Sequence, residues 1–199
     1  CGRLSEKIAP RLTGVARADS LAFDFHKWMH VNYDAGCVLV RDADAHLRAF
    51  TNRPHYLSGA QEGLAAGAPW PVDLGPELSR GFRALRIWAQ IAEHGGETLG
   101  RLMDQNCDLA RYLADKVDAA PGLERLSPPS LQICCFRACP SGVPEERLDA
   151  LNEQIVIRLQ TEGIAAPSTT HINGRLAIRV NITNHRTRRE DIDLLVEEV

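Results

Sequence analysis

Residues 18–28 read Ala18-Asp19-Ser20-Leu21-Ala22-Phe23-Asp24-Phe25-His26-Lys27-Trp28. The loose alternation of apolar and polar residues from Ser20 to Phe25 predicts a strand, with a His-Lys pair at its end. Aromatic residues flank this pair on both sides. Burial among apolar groups would lower the pKa of Lys27 toward neutrality, and only a neutral amine attacks a carbonyl group. The stretch therefore supports the hypothesis that Lys27 is a nucleophile, with an ordinary surface lysine as the alternative.

The composition is that of an ordinary soluble globular protein of one large domain or two small ones. The chain has 199 residues, of which 44% are hydrophobic and 25% are charged. A net charge of -3 gives no general attraction for nucleic acid or anionic membranes. No apolar run approaches the roughly 18–20 residues that span a bilayer. Because the chain begins with Cys1 rather than Met, we expect it to be a piece of a longer protein.

Six cysteines follow no ordered spacing. A disulfide framework is not expected in a chain of this size, and this use of cysteine suits the reducing cytoplasm. Their spacing also matches no zinc-binding pattern, so no metal site is predicted. The six are Cys1, Cys37, Cys107, Cys134, Cys135 and Cys139.

The first half of the chain alternates short elements with one long connection. A short helix is expected within residues 1–17, a second strand within 31–40 and a turn of helix near 44–50. Residues 51–76 are rich in glycine and proline, which predicts a long loop with little regular structure. We interpret this loop as a mobile cover over an active site, docked by three apolar side chains, Leu57, Trp70 and Leu74, with a disordered linker as the alternative.

Residues 77–117 are predicted to be helical. An apolar stripe begins at Leu78 and ends at Gly95-Gly96, and a second helix follows to about residue 117. Pro121-Gly122 then marks a domain boundary, which divides the chain into residues 1–120 and 121–199.

The second part is predicted to be a small α/β domain. Asn173-Gly174 predicts a tight hairpin turn, and the segment from Thr187 to Glu190 has the pattern of a capping box that starts the last helix. The predicted strands and helix are strands 123–127, 131–138, 164–171 and 175–182 and helix 145–160.

Three segments in order resemble the group II pyridoxal-phosphate-dependent amino acid decarboxylases, which include the aromatic L-amino acid, histidine and glutamate decarboxylases. The run from Asp19-Ser20 through His26-Lys27-Trp28 to Val31-Asn32-Tyr33-Asp34-Ala35-Gly36-Cys37 is similar to the family's cofactor-lysine segment. Residues 78–88 resemble the helix after the lysine, with Gly81 where arginine is more usual. Residues 173–179 and 184–193 resemble the C-terminal hairpin and last helix.

The resemblance implies an α/β fold of fold type I. Residues 1–120 would be the C-terminal part of the large cofactor-binding domain, and 121–199 the small C-terminal domain. It also implies that Lys27 forms the Schiff base with pyridoxal 5′-phosphate and that His26 lies beside the cofactor near its phosphate. Arg179 falls where some relatives contact a substrate carboxylate, with a structural arginine on an edge strand as the alternative. Asp24 is not assigned to the cofactor, because a carboxylate repels a phosphate.

The implied activity is decarboxylation of an L-amino acid to the amine and CO2 by a homodimer. In the family, the aspartate that pairs with the pyridine nitrogen and the histidine that stacks on the ring lie further upstream of the lysine than this chain's 26 residues. We therefore expect a missing N-terminal portion of the same enzyme to complete the site.

Three questions stay open at this point. The loop from Leu57 to Gly81 contains no tyrosine. Relatives commonly place a proton-donating tyrosine there, and those that lack it can divert to oxygen-dependent deamination, which gives an aldehyde. His55 or Tyr56 would be substitute donors. For the fragment itself, a non-catalytic interaction module is a further alternative. Arg179 favours an acidic substrate, while Trp70 and His55 would equally suit an aromatic one.

Overall fold

The computed structural model describes residues 2–57, 59–64, 66–67 and 70–199. Cys1 and part of the predicted cover loop therefore lie outside the described residues, as does the side chain of Leu57. The chain divides into two compact units, one formed by Thr13–Glu93 and the other by Cys1–Leu12 together with His94–Val199. This division differs from the boundary predicted at residue 120, because the helix that precedes residue 120 packs with the C-terminal segment.

The unit Thr13–Glu93 contains a two-stranded antiparallel sheet. Strand β1 is Ser20–Asp24 and strand β2 is Gly36–Val40, and their register runs from Ser20 opposite Val40 to Asp24 opposite Gly36. The predicted first strand is confirmed, but the second is shorter than predicted, because residues 31–35 belong to the connection.

Helix α1, Ala43–Phe50, follows β2 where one was predicted. It begins at Asp42, whose carboxylate accepts a hydrogen bond of 2.8 Å from the N–H of Ala45. Such a cap satisfies one of the N–H groups that the first turn of a helix leaves unpaired. Two short 3-10 turns, His55–Leu57 and Pro71–Leu74, lie within the long loop.

Helix α2 spans Arg83–Ala119 and is broken at Gly95, whose φ of 74° and ψ of 154° are not helical. The predicted interruption at Gly95-Gly96 is therefore confirmed, while the helix begins six residues later than predicted. Its first part carries apolar side chains that this chain leaves exposed: Leu85, Trp88 and Ile91.

The second unit contains a four-stranded antiparallel sheet with strand order β3-β4-β6-β5. The asparagine and glycine at the predicted hairpin turn, Asn173 and Gly174, both have positive φ, of 51° and 79°. The elements are β3 Leu123–Arg125, β4 Ile133–Ala138, α3 Glu145–Thr161, β5 Ser168–Ile172, β6 Arg175–Asn181 and α4 Arg189–Glu198.

A single hydrophobic core holds this second unit together. It joins the later part of α2 to the sheet and to helices α3 and α4, through side chains that include Leu113, Phe136, Leu159, Ile178 and Ile192. The predicted capping box is displaced by one residue, because the N–H of Arg188 donates to the carboxylate of Asp191 at 2.8 Å. Across the described residues, no helix combines the length and apolar character that crossing a membrane requires.

The N-terminal segment forms 3-10 turns at Gly2–Leu4 and Ala9–Leu12 rather than the predicted short α-helix. It lies directly on α2, where the hydroxyl of Ser5 donates to Asp104 at 2.5 Å. Gly100 permits this approach: a Cβ atom added there would lie 2.0 Å from the carbonyl oxygen of Leu4. This contact explains a glycine in the interior of a helix, where alanine is otherwise preferred.

We predict that Gly100→Ala destabilises the chain, because the new methyl group would collide with the backbone of Leu4. Overpacking of this kind costs about 1–3 kcal/mol, which exceeds the up to ~1 kcal/mol that alanine gains over glycine in a helix. Urea unfolding monitored by circular dichroism measures the difference.

The matched control is Gly81→Ala, since a Cβ atom at Gly81 meets nothing within 4 Å. A surface substitution of this kind is expected to stay within about 0.5 kcal/mol of the parent. Equal stability of the two variants would contradict the assigned contact.

Candidate functional site

The His-Lys pair lies in the turn that leaves β1. Phe25 extends the β1–β2 pairing by one residue: its N–H donates to Ala35 at 2.8 Å, and its C=O accepts from Val31 at 3.2 Å. The C=O of Lys27 accepts from the N–H of His30 at 3.2 Å. Because Met29 and Val31 are buried below the turn, the backbone that carries His26 and Lys27 is held in place from both ends.

Lys27 is an exposed, ion-paired lysine in this chain. Its side chain is 66% exposed, and its Nζ lies 2.5 Å from Oδ2 of Asp24. The hydrogen bond to Asp24 raises the pKa of Lys27 above its usual value. The predicted lowering of the pKa of Lys27 is therefore wrong here, because Phe23 and Phe25 pack edge-to-face on each other, with ring centroids 5.0 Å apart, while the amine extends into solvent.

The His26 side chain is held in place by burial, by a hydrogen bond and by a ring contact. Its side chain is only 9% exposed, its Nδ1 accepts a hydrogen bond of 3.0 Å from the N–H of Ala35, and its ring lies 4.1 Å from the ring of Tyr33. Because Nδ1 accepts, the ring hydrogen of the neutral histidine sits on Nε2. Nε2 lies 4.0 Å from Oδ1 of Asp24. Asp24 thus faces both members of the pair.

Asp24 is the site residue that the sequence analysis excluded. Lys27 and His26 together lower the pKa of its carboxyl, chiefly through the Lys27 hydrogen bond. The available signal was the spacing of three residues between Asp24 and Lys27, which a tight turn converts into a contact.

Two arginines from α2 hold the far side of the turn. The Nε of Arg83 donates to both carboxylate oxygens of Asp34 at 3.1 Å, and Arg86 donates to the carbonyl oxygen of Tyr33 at 2.9 Å. Arg83 lowers the pKa of Asp34 through these bonds. Tyr33, which packs on His26, is therefore positioned by the helix that the resemblance had matched to the family.

Contacts from Arg53 and His46 hold the C-terminal part of the predicted cover loop in place. Arg53 forms a two-point ion pair with Asp73, whose side chain is 8% exposed, and its guanidinium lies 4.9 Å above the ring of Trp70. His46 contacts the carbonyl oxygen of Leu74 at 2.9 Å. Trp70 and Leu74, which are two of the three residues predicted to dock the loop, thus lie in an anchored segment.

This anchored segment borders an open cleft of about 720 Å³. One side of the cleft is formed by Asp34, Gly36 and Cys37 from the end of the turn and the start of β2, and the other includes Pro71 and Arg83. Gly36, which lines the cleft, is opposite Asp24 in the β1–β2 register.

Arg179 belongs to the other unit and lies on β6. This strand pairs with β4 on one side and β5 on the other, where Arg179 is opposite Cys135 and Ser168. The alternative of a structural arginine on an edge strand is therefore wrong in its geometry, because β6 is an interior strand. The structure thus brings His26 and Lys27 together in Thr13–Glu93 and places Arg179 in the second unit.

The residues of the turn fit a cofactor that carries an aldehyde. Such a group needs an accessible primary amine, and Lys27 presents one at the end of a fixed strand. His26 adds an oriented N–H donor beside it. The Asp24 carboxylate does not fit a phosphate at the same point, so any phosphate would have to bind away from Asp24.

Residues 2–139 match the family described as the pyridoxal-dependent decarboxylase conserved domain. An aromatic-L-amino-acid decarboxylase of Bacillus atrophaeus is 32% identical over 204 residues, covering 98% of this chain and 42% of that protein. A phenylacetaldehyde synthase of Arabidopsis thaliana is 28% identical over 174 residues, covering 86% of this chain and 35% of that protein.

The fold is shared with solved structures as well. The crystal structure of Oryza sativa TDC with PLP and tryptamine superimposes with a TM-score of 0.85 at 22% sequence identity, covering 99% of this chain and 42% of that one. The predicted α/β fold of fold type I is confirmed by this likeness. The chain spans less than half the length of these relatives.

We predict that Asp73→Asn loosens the loop at neutral pH, with amide hydrogen exchange of residues 70–76 faster by on the order of tenfold, because a charge-assisted pair of hydrogen bonds is lost. Arg53 lowers the pKa of Asp73 in the folded chain. The stabilisation is therefore fully present above the unfolded carboxyl pKa of about 3.9 and is lost as the pH falls through the lower folded value.

Glu62→Gln is the matched control, since it removes an exposed carboxylate from the same loop. Hydrogen exchange followed by mass spectrometry, corrected for intrinsic rates at each pH, should show protection that declines below about pH 4 in the parent and in Glu62→Gln. Protection that is independent of pH in the parent would exclude the Asp73 anchor.

Proposed function

The chain belongs to the pyridoxal-dependent decarboxylase family, and on this basis we propose that the whole protein is a lyase that decarboxylates an L-amino acid to the amine and CO2, with pyridoxal 5′-phosphate as cofactor. The observation that supports the proposal most directly is the accessible Lys27 amine at the end of β1, which lies inside the family-matched residues. The relative from Bacillus atrophaeus is named as a decarboxylase of this kind.

In this proposal Lys27 is the residue that bonds the cofactor, and it is the catalytic residue of this chain. When bound, pyridoxal phosphate supplies an electron sink for the electron pair that stays on the substrate Cα as CO2 leaves. His26 contributes an N–H donor whose direction is fixed by the Ala35 hydrogen bond and by Tyr33. The turn therefore provides the attachment point and its orientation.

A second candidate reaction is aldehyde-forming oxidative deamination, in which O2 and water convert the same substrate into the aldehyde, CO2, ammonia and hydrogen peroxide. It is favoured by the absence of tyrosine from Leu57 to Gly81, and a relative at 28% identity is named phenylacetaldehyde synthase. Simple decarboxylation needs a proton for the substrate Cα, and Tyr56, whose side chain extends into solvent, or His55 would supply it at the start of the loop.

The substrate side chain is proposed to be either acidic or aromatic. Arg179 favours an acidic group, since a guanidinium binds a carboxylate through two parallel hydrogen bonds. Trp70 and His55 in the loop favour an aromatic group. We also propose a cytoplasmic location, which fits the five cysteines that are free in the described residues.

We propose that the whole enzyme contains the upstream portion of the same protein and forms a homodimer. The exposed stripe formed by Leu85, Trp88 and Ile91 on α2 supports an interface, because contiguous apolar surface of this kind is uncommon on an isolated monomer. Trp88 is 67% exposed, and tryptophan is enriched among the residues that dominate interfaces.

We expect the full-length enzyme to release equimolar CO2 and amine from an L-amino acid without hydrogen peroxide, and borohydride reduction to attach the cofactor to Lys27. Lys27→Arg should abolish both the adduct and turnover. Lys7→Arg is the matched control, because Lys7 is an exposed lysine paired with Asp108 at 2.6 Å. Mass spectrometry locates the adduct among the chain's three lysines.

The competing outcomes are distinct. Aldehyde, ammonia and peroxide in place of amine would establish the second candidate reaction. An enzyme with no adduct on Lys27 and no visible cofactor absorbance would favour a non-catalytic interaction module instead.

We expect Trp88→Glu to convert a dimeric full-length enzyme into monomers, because a charge would have to be buried in the apolar interface. Multi-angle light scattering gives the mass directly. His94→Glu places the same charge on an exposed residue of α2 outside the stripe and should leave the dimer intact. A Trp88→Glu enzyme that stays dimeric would show that the stripe is covered by another part of the same chain.

A further inference from the structure

Asp24 places its two carboxylate oxygens against the two members of the His-Lys pair. Oδ2 accepts from Nζ of Lys27 at 2.5 Å, and Oδ1 lies 4.0 Å from Nε2 of His26. The carboxylate is one-third exposed, so it contacts the amine at the solvent boundary. Asp24 therefore contacts Nζ of Lys27, the atom on which the proposed chemistry depends.

The conformation of the backbone, and not only that of the side chains, places Asp24 next to Lys27. Asp24 is the last residue of β1 and is opposite Gly36 on β2, so its Cα position is set by the sheet. The turn at residues 25–30 then returns Lys27 toward Asp24 through the hydrogen bonds of Phe25 and His30. A carboxylate three residues before a lysine is thus converted into a contact by the strand end and the turn together.

In the part of the chain that the structure describes, Asp24 and the ring hydroxyl of Tyr33 act electrostatically on the Lys27 amine, and Lys27 and His26 act on the Asp24 carboxylate. His26 cannot replace Asp24 as the acceptor for the ammonium, because its Nδ1 is occupied by Ala35 and its Nε2 carries the hydrogen. Asp24 is therefore the acceptor that holds the charged amine in this turn.

We infer that Asp24 is a positioning residue for Lys27: its carboxylate holds the free amine as an ammonium ion at the end of β1. Lys27 must leave this carboxylate and lose a proton before its nitrogen can bond to a carbonyl carbon, whose oxygen then leaves as water. The inference rests on the proposed function in that Lys27 is the cofactor-bonding residue. It assigns Asp24 to the lysine, and not to the cofactor phosphate.

The reactivity of Lys27 depends on whether its amine carries a proton. An ammonium nitrogen has no lone pair, so only the fraction of Lys27 that has lost its proton reacts with an acylating or carbonyl reagent. The Asp24 hydrogen bond raises the pKa of Lys27, and this reduces the free-amine fraction at neutral pH. Removing the charge of Asp24 should therefore make Lys27 more reactive, whereas the loss of a merely structural residue would not.

The test is competitive acetylation of the cofactor-free full-length protein with acetic anhydride at a series of pH values, with each lysine of this chain quantified in a separate peptide by mass spectrometry. We expect Asp24→Asn to lower the apparent pKa of Lys27 and to raise its acetylation rate at pH 8 several-fold, up to about tenfold for each unit of pKa lost. Asp24→Glu keeps the negative charge and should restore slow labelling.

The controls lie in the same molecule. Lys7 and Lys116 are paired with Asp108 and Asp193 at 2.6 and 2.7 Å, and their labelling should not change in Asp24→Asn. Asp19→Asn removes an exposed carboxylate next to the start of β1 and should leave Lys27 unchanged. Unchanged labelling of Lys27 in Asp24→Asn, with circular dichroism like that of the parent, would overturn the inference.

This readout does not depend on catalysis. If borohydride traps the cofactor on Lys27 of the full-length enzyme but Asp24→Asn does not alter labelling of the free amine, the positioning role fails and the proposed function stands. If labelling changes as expected but no adduct forms, Asp24 holds Lys27 and the proposed function fails.

Discussion

Phe25 donates its N–H to Ala35 and accepts from Val31 through its C=O, and with these two bonds it closes the β1–β2 ladder immediately before His26. The arrangement of the turn depends on this closure. The two bonds fix the backbone between Asp24 and His26. They also leave the N–H of Ala35 directed at the His26 ring. A two-stranded sheet has little stability alone, so buried Met29, Val31 and Ala35 and the bonds from Arg83 and Arg86 are needed to keep the turn in shape.

The sequence was sufficient for elements with a strong local signal. The strand before His26, the helix break at Gly95 and the Asn173-Gly174 hairpin depend on alternation, glycine conformation and turn chemistry, all of which act between near neighbours. The family resemblance supplied the fold class, which composition and periodicity alone could not have given.

What escaped prediction depends on solvent and on distant partners. Apolar neighbours in sequence suggested a buried Lys27, yet a side chain at the end of a strand can extend into water while the aromatic rings pack on each other. The sign of its pKa shift is therefore set by one carboxylate rather than by burial. The apolar stripe on α2 was predicted but its exposure was not, because periodicity identifies an apolar face and does not identify what covers it. The N-terminal turns depend on Gly100, about a hundred residues away in the chain.

The two units support their candidate residues to different degrees. Lys27 and His26 lie within the family-matched residues 2–139, whereas Arg179 lies beyond them, so Arg179 must be judged from its surroundings. Arg137 on neighbouring β4 shows what a structural arginine looks like here: it is buried and paired with Glu124 and Glu145. Across the part of the chain that the structure describes, no acidic side chain forms a salt bridge with the half-buried Arg179. A guanidinium that is partly desolvated but not neutralised retains its attraction for a carboxylate, and this supports the proposal that Arg179 contacts an acidic substrate.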